Sequence, residues 1–214
     1  MSWFDEHGRE FPWRHGTYDS YRLLVAEVLL QRTRAETVAA FAADFFQAYP
    51  DWKSLATATE VEITEALRAI GLQSRRATTL SKLSKHMVDN NYVIPSQRNR
   101  IEALPGIGQY IANAMEMLVH GRPRPLLDTN MSRVIERCIR PRSLADIRYD
   151  PWLQGAAHYL VEQGDAKIIN WAVLDLGALV CKPRTPSCRV CPLQDECSFA
   201  KTNSMDRTSD PGVS

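Results

Sequence analysis

Apolar residues recur along this chain at helical spacing, and no stretch alternates apolar and polar residues over the length that a half-buried strand needs. The pattern predicts helices over Tyr21–Arg32, Ala35–Ala48, Glu60–Ile70, Arg75–Asp89, Gln109–Val119, Thr129–Ile139, Pro151–Gln163 and Ala166–Val180. The fold class read from it is all-α. Gly71 sits where a helix C-cap belongs, "YVIPSQRN" is a proline-containing connector, and "HGRPRPLL" is a loop with two prolines. From Lys201 onward, "KTNSMDRTSDPGVS" is polar and short of apolar residues, which reads as a disordered tail over 201–214. No repeat of fixed period is present.

Composition narrows the class further. The chain has 214 residues, 44% hydrophobic and 24% charged, enough to bury one good core or two small ones. No run approaches the ~18 apolar residues of a membrane helix, and the opening "MSWFDEHGRE" lacks the basic and then apolar segments of a signal peptide. These features exclude a membrane partner and point to a cytoplasmic or nucleoid-associated protein. The net charge of +1 requires any polyanion to be held by a local concentration of positive charge.

Four of the five cysteines, Cys181, Cys188, Cys191 and Cys197, are spaced C-x6-C-x2-C-x5-C. Four thiolates in one loop imply a metal, and two disulfides are disfavoured without a secretion signal. All-thiolate zinc and an iron-sulfur cluster both suit this ligand set. Cys138, on the apolar side of "MSRVIERCI", reads as a packed core residue.

Three further features carry chemistry. "PGIG" places two glycines ahead of a helix whose Ile111, Met115 and Leu118 share one face. Such a turn is either a tight structural corner or a site where backbone amides and a helix N-terminus meet a phosphate. Asp128 precedes the helical "TNMSRVIERCI" and is either a helix N-cap or a working carboxylate. Glu27 lies in "LLVAEVLL", apolar on nearly every face, where a charge is costly unless protonated, paired or used. It is either a general acid with a raised pKa or the partner of an arginine such as Arg32.

Together "FPWR", "AEVLLQRT", "LPGIGQYIA", "LDTNMSRVI", "NWAVLDLGALVC" and the four-cysteine loop resemble, in order and spacing, the helix-hairpin-helix DNA glycosylases of the endonuclease III and MutY superfamily. The resemblance runs to about Phe199. It implies a six-helix domain over 18–124, beside a cluster domain of 1–17 plus 125–200, with double-stranded DNA bound as a monomer across the groove between them. It makes the cysteine loop a [4Fe-4S] site. Asp128 matches the aspartate that stabilises the oxocarbenium-like sugar, and Glu27 the acid that protonates a leaving base. Gln31 matches the residue that fills the vacated stack. Arg32, Gly106, Ile107, Gly108 and Asn130 fall at DNA-contacting positions. Where some members carry an attacking lysine, this chain has Tyr110, and a phenol cannot form a Schiff base. The resemblance therefore implies a monofunctional base-excision glycosylase without lyase activity.

On the base removed, "LDTN" departs from the MutY pattern "VDGN", and the chain ends soon after the cysteines, without the further domain usual in MutY enzymes. The combination looks more like the mismatch-specific thymine glycosylases, which remove T or U opposite G. A purine glycosylase acting on adenine or hypoxanthine is the alternative. A non-catalytic iron-sulfur DNA-binding protein is the alternative from another class, although simple binding does not require carboxylates facing a polyanion.

Overall fold

The computed structural model describes residues 2–16 and 18–202, and among them all regular structure is helical. The helices are α1 (Ser2–His7), α2 (Ser20–Leu30), α3 (Ala35–Ala48), α4 (Trp52–Thr57), α5 (Glu60–Ala66), α6 (Gln73–Asp89), α7 (Arg98–Glu102), α8 (Gln109–Leu118), α9 (Thr129–Cys138), α10 (Pro151–Val161) and α11 (Ala166–Leu179). Short 3-10 turns occur at Pro12–Arg14, Arg68–Ile70 and Cys188–Val190. No helix among the described residues is long and apolar enough to cross a membrane. Of the expected tail, Lys201 and Thr202 continue a helical turn, with the Lys201 N–H donating to Cys197 O at 3.0 Å. The remainder, 203–214, lies outside the described residues.

The chain divides into two compact units, Glu10–Arg122 and Met1–Arg9 with Pro123–Ser214. In the first, α2 packs against α3, α6 and α8, and α6 also receives α4 and α5. The core here includes Leu24, Val28, Phe45, Leu55, Ile63, Leu80, Leu83, Ile101 and Met115, all at most 2% exposed. Caps set where these helices start. Asp51 and Ser54, and likewise Thr59 and Glu62, form reciprocal capping boxes that satisfy otherwise orphaned amides. Gly71, at φ 71°, closes the 3-10 turn ahead of α6, in keeping with the expected cap.

In the second unit, α9 packs against α10 and α11. Leu127, Met131, Ile135, Leu153 and Ala157 form its core, Met131 and Ile135 at i, i+4 spacing on α9 and Leu153 and Ala157 likewise on α10. Arg9 ties the N-terminal segment to α11 through a two-armed contact with the buried Asp175, its Nε donating to Oδ1 at 2.8 Å and its backbone N–H to Oδ2 at 2.7 Å. Asn170 of α11 is also buried, accepting from the Leu126 amide at 2.6 Å and donating to Arg124 O at 3.0 Å. It fixes the approach of the chain to Asp128.

Candidate nucleic-acid site

Glu27 is placed by the burial of α2. Every residue from Leu24 to Leu29 is buried, because this helix is covered by three others. The Glu27 carboxyl is 6% exposed, its Oε2 has no hydrogen-bond partner, and burial alone pushes its pKa up to about 7. The expected alternative, a salt bridge to Arg32, is not formed. α2 stops at Leu30, Gln31 is its C-cap, and Arg32 turns away with φ 57°, in the left-handed region. Gln31 and Arg32 are both exposed at this turn, off the helix that the pattern extended through them.

The "LPGIG" turn joins α7 to α8. Ile107 is buried and its N–H donates to Leu104 O at 3.1 Å, which closes the corner. Gly106 has φ 76°, and a Cβ there would run into the Thr79 methyl, so glycine is required by the fold itself. Gly108 is different. It is the N-cap of α8 with φ −106°, a value any residue adopts, and a Cβ there would meet open space. Nothing in the protein demands a glycine at 108. Tyr110, in the first turn of α8, is half-buried. The hairpin is stiffened by Glu116, whose buried carboxylate takes Arg98 at 2.8 Å and Arg122 at 2.9 Å, while Arg98 also reaches Gln109 O at 3.3 Å.

Asp128 is the N-cap of α9 and uses both oxygens. Oδ1 accepts from the Asn130 and Met131 amides, each at 2.8 Å, and Oδ2 accepts from Asn130 Nδ2 at 2.8 Å. Arg133 Nη2 in turn donates to Asn130 Oδ1 at 2.8 Å and to Gly177 O at 2.7 Å. This fixes which end of the Asn130 amide faces the carboxylate. Gly177 makes the arrangement possible, since a Cβ there would lie 2.7 Å from Asn130 Cβ. Burial raises the Asp128 pKa, and the hydrogen bonds from Met131 and Asn130, with the Arg133 charge, pull it back. Asp128 is half-buried, so the carboxylate is both a cap and a positioned, accessible anion.

The predicted residues thus fall in two groups. Gly106, Ile107, Gly108 and Tyr110 share one turn and helix start, with Glu27, Gln31 and Arg32 on α2 and its end, in the first unit. Asp128 and Asn130 stand together in the second. Sequence reasoning passed over Arg133, whose role lies in carbonyls far along the chain, and Leu72, which is 48% exposed with φ 51°. The signal available for Leu72 was an apolar residue directly after a capping glycine.

The metal assignment is corrected. Cys181, Cys188, Cys191 and Cys197 do line one apolar space, with Val134, Cys138 and Leu176. Yet among the described residues no group of three or more His, Cys, Asp or Glu side chains is arranged to hold a metal ion, and all five cysteines are free thiols. Neither the [4Fe-4S] cluster and its loop nor the zinc alternative is supported. The Cys197 Sγ is directed at Arg137 O (3.4 Å), Arg137 Nη1 donates to Cys181 Sγ (3.3 Å), and burial raises the Cys191 pKa. Metal ligation needs thiolates arranged around one ion, and the described cysteines are not so arranged.

Residues 25–145, more than half of the chain, match the HhH-GPD superfamily of base excision DNA repair proteins. The chain belongs to the HhH-GPD superfamily. It is 36% identical over 205 residues to a thymine-DNA glycosylase of Aeropyrum pernix, covering 93% of this chain and 91% of that one. It is 37% identical over 205 residues to a thymine/uracil-DNA glycosylase of Pyrobaculum aerophilum, covering 93% and 89%. The solved structure of a thermostable thymine-DNA glycosylase superposes with a TM-score of 0.81 at 30% identity, over 94% of this chain and 93% of that one. This HhH-GPD protein is a base-excision-repair DNA glycosylase related to thymine-DNA glycosylases, with an all-α fold. The match spans Glu27, the hairpin turn and Asp128; the four cysteines lie beyond it.

Proposed function

We propose that this HhH-GPD glycosylase acts as a monomer on duplex DNA, removing thymine or uracil opposite guanine by hydrolysis and leaving the strand intact. The observation that carries the chemistry is Asp128, a half-buried carboxylate fixed through both oxygens. Breaking an N-glycosidic bond develops positive charge on the sugar, and a carboxylate that is already oriented stabilises it without reorganising. The likeness to thymine and thymine/uracil glycosylases along nearly the whole chain supports the choice of base.

The other residues take roles that follow from their settings. A stacked base is out of reach, so the nucleotide is extruded, and the exposed Gln31 fills the gap. Amides at the Gly106–Gly108 turn and the α8 N-terminus hold a phosphate beside the extruded sugar, with Arg32 as a cation for the backbone. The absence of any internal need for glycine at 108 fits a close approach by something outside the protein. Glu27, protonated up to about pH 7, donates to the departing base. Tyr110 offers a phenol where a lyase would need an amine, so water is the nucleophile.

The test is one panel of labelled duplexes carrying G:T, G:U, A:G, A:8-oxoguanine and hypoxanthine pairs, each resolved before and after alkali. Cutting of G:T and G:U strands only after alkali is the expected result. Preferential loss of adenine or hypoxanthine would transfer the enzyme to the purine branch, and no alkali-labile product from any duplex would leave a DNA-binding protein without catalysis.

A further inference from the structure

Arg76 is buried, at 3% exposure, near the start of α6, and among the described residues it makes no ion pair. Taking a guanidinium out of water without a carboxylate is costly, and its burial lowers the Arg76 pKa. Five acceptors offset that cost. Nη1 donates to Ile70 O at 3.0 Å and to Gly71 O, while Nη2 donates to Leu29 O at 3.0 Å, to Gln31 O and to Thr33 Oγ1.

The two arms of the fork therefore grip two different turns. One is the end of α2, Gln31–Thr33, where Arg32 sits at φ 57°; the other is Ile70–Leu72, where Leu72 sits at φ 51°. A left-handed conformation at a residue other than glycine is strained and persists only where the surroundings impose it. Each turn presents exposed side chains, Gln31 and Arg32 on one and Leu72 on the other. A charge buried at such cost between two strained, exposed turns is accounted for if their relative placement matters to what docks on them.

We propose that Arg76 is a positioning residue for DNA opening: one guanidinium locks the Gln31 turn to the Leu72 turn, so that both tips meet the duplex at a fixed separation. This deepens the proposed function and rests on its reading of Gln31 as the residue that fills the vacated stack. A rigid pair of tips lowers the cost of unstacking because no loop has to be ordered during extrusion. Arg76 touches neither base nor sugar, so its loss should affect opening and leave the bond-breaking step unchanged.

The experiment compares uracil paired with guanine and uracil in a single-nucleotide bulge, already unstacked, under single-turnover conditions. 2-Aminopurine fluorescence beside the target reports unstacking independently of excision. Arg76→Met is expected to slow excision from the G:U duplex at least about tenfold and to reduce the fluorescence rise, while excision from the bulge stays within about twofold of the parent. Arg76→Lys, which keeps a charge and donors at a single nitrogen, should fall between them on the duplex. Equal slowing on both substrates, or an unchanged fluorescence rise, would overturn the proposal. If Arg76→Met fails to fold, Thr33→Val removes one acceptor, and the same duplex-specific loss, about two- to threefold, is required of it. A parent protein that leaves uracil in place in both substrates would instead overturn the reading of function, while the fluorescence comparison still decides the role of Arg76.

Discussion

Replacing Glu27 with glutamine keeps the side chain's shape and removes only its ability to ionise, so the variant isolates the consequence of burying a carboxyl without a partner. In the folded chain its pKa is about 7 against an ordinary 4.5, so the folded state holds the proton more tightly than the unfolded one. Stability is therefore fully present below the unfolded value and is lost as pH rises through the folded one. A difference of 2.5 pKa units sets the total loss at about 3 kcal/mol, of which about 2.5 kcal/mol falls between about pH 5 and about pH 8. Glu27→Gln lacks this slope. Urea denaturation of both proteins across that range should show the variant gaining on the parent as pH rises, by about 2–3 kcal/mol at the alkaline end. Excision by the parent should fall along an alkaline limb near pH 7, and the variant should be slow throughout with no such limb. Parallel stability curves for the two proteins would mean that Glu27 is ionised or paired in solution, and would remove the argument for it as the acid.

Asp128→Asn should lose base excision by several orders of magnitude while retaining affinity for the duplex, since transition-state stabilisation is deleted and repulsion with phosphates relieved; equal activity would reduce Asp128 to a helix cap. Folding should suffer by about 1–2 kcal/mol, because the amide oxygen can still accept from the α9 backbone while the new NH2 faces the Asn130 Nδ2 donor. Gly106→Ala should destabilise the protein by about 1–3 kcal/mol through its positive φ and the collision with Thr79. Gly108→Asp should separate two properties, holding or slightly raising the melting temperature as a better N-cap for α8 while weakening binding to all duplexes alike; loss confined to one base pair would make the turn a reader of sequence. Tyr110→Lys should gain strand cleavage and a covalent adduct on borohydride trapping, and efficient trapping of the parent would point to another amine as nucleophile.

What the sequence disclosed depended on whether the determining contact was local. α3 runs over the predicted Ala35–Ala48, and α8 and α9 begin at the predicted Gln109 and Thr129, because Gly108 and Asp128 mark those starts within one turn. α4 and α7 went unread because six and five residues are too few to show a period, and their place is set by burial of Trp52, Leu55 and Ile101. α2 was read two residues too long: the turn at Arg32 is held by Arg76, 45 residues from Gln31, through carbonyls that carry no sequence signature. Glu27 stood out as a lone acid in an apolar helix, and Asp128 as a cap, whereas Arg133 and Gly177, which orient Asp128 through Asn130, did not. The cysteine spacing located four thiols around one space, but spacing cannot say whether they are arranged to hold a metal ion, and among the described residues no such arrangement is found.

The central claim is hydrolytic release of a pyrimidine mispaired with guanine, and the most direct measurement uses two duplexes identical except for the base opposite one thymine, guanine or adenine. Purified protein in excess is incubated with each, free thymine is quantified by mass spectrometry, and the labelled strand is resolved with and without alkali. The account predicts free thymine from the G:T duplex only, in a one-to-one ratio with a strand that is intact until alkali is added. Equal release from A:T, strand cutting without alkali, or no free thymine from the G:T duplex would contradict it.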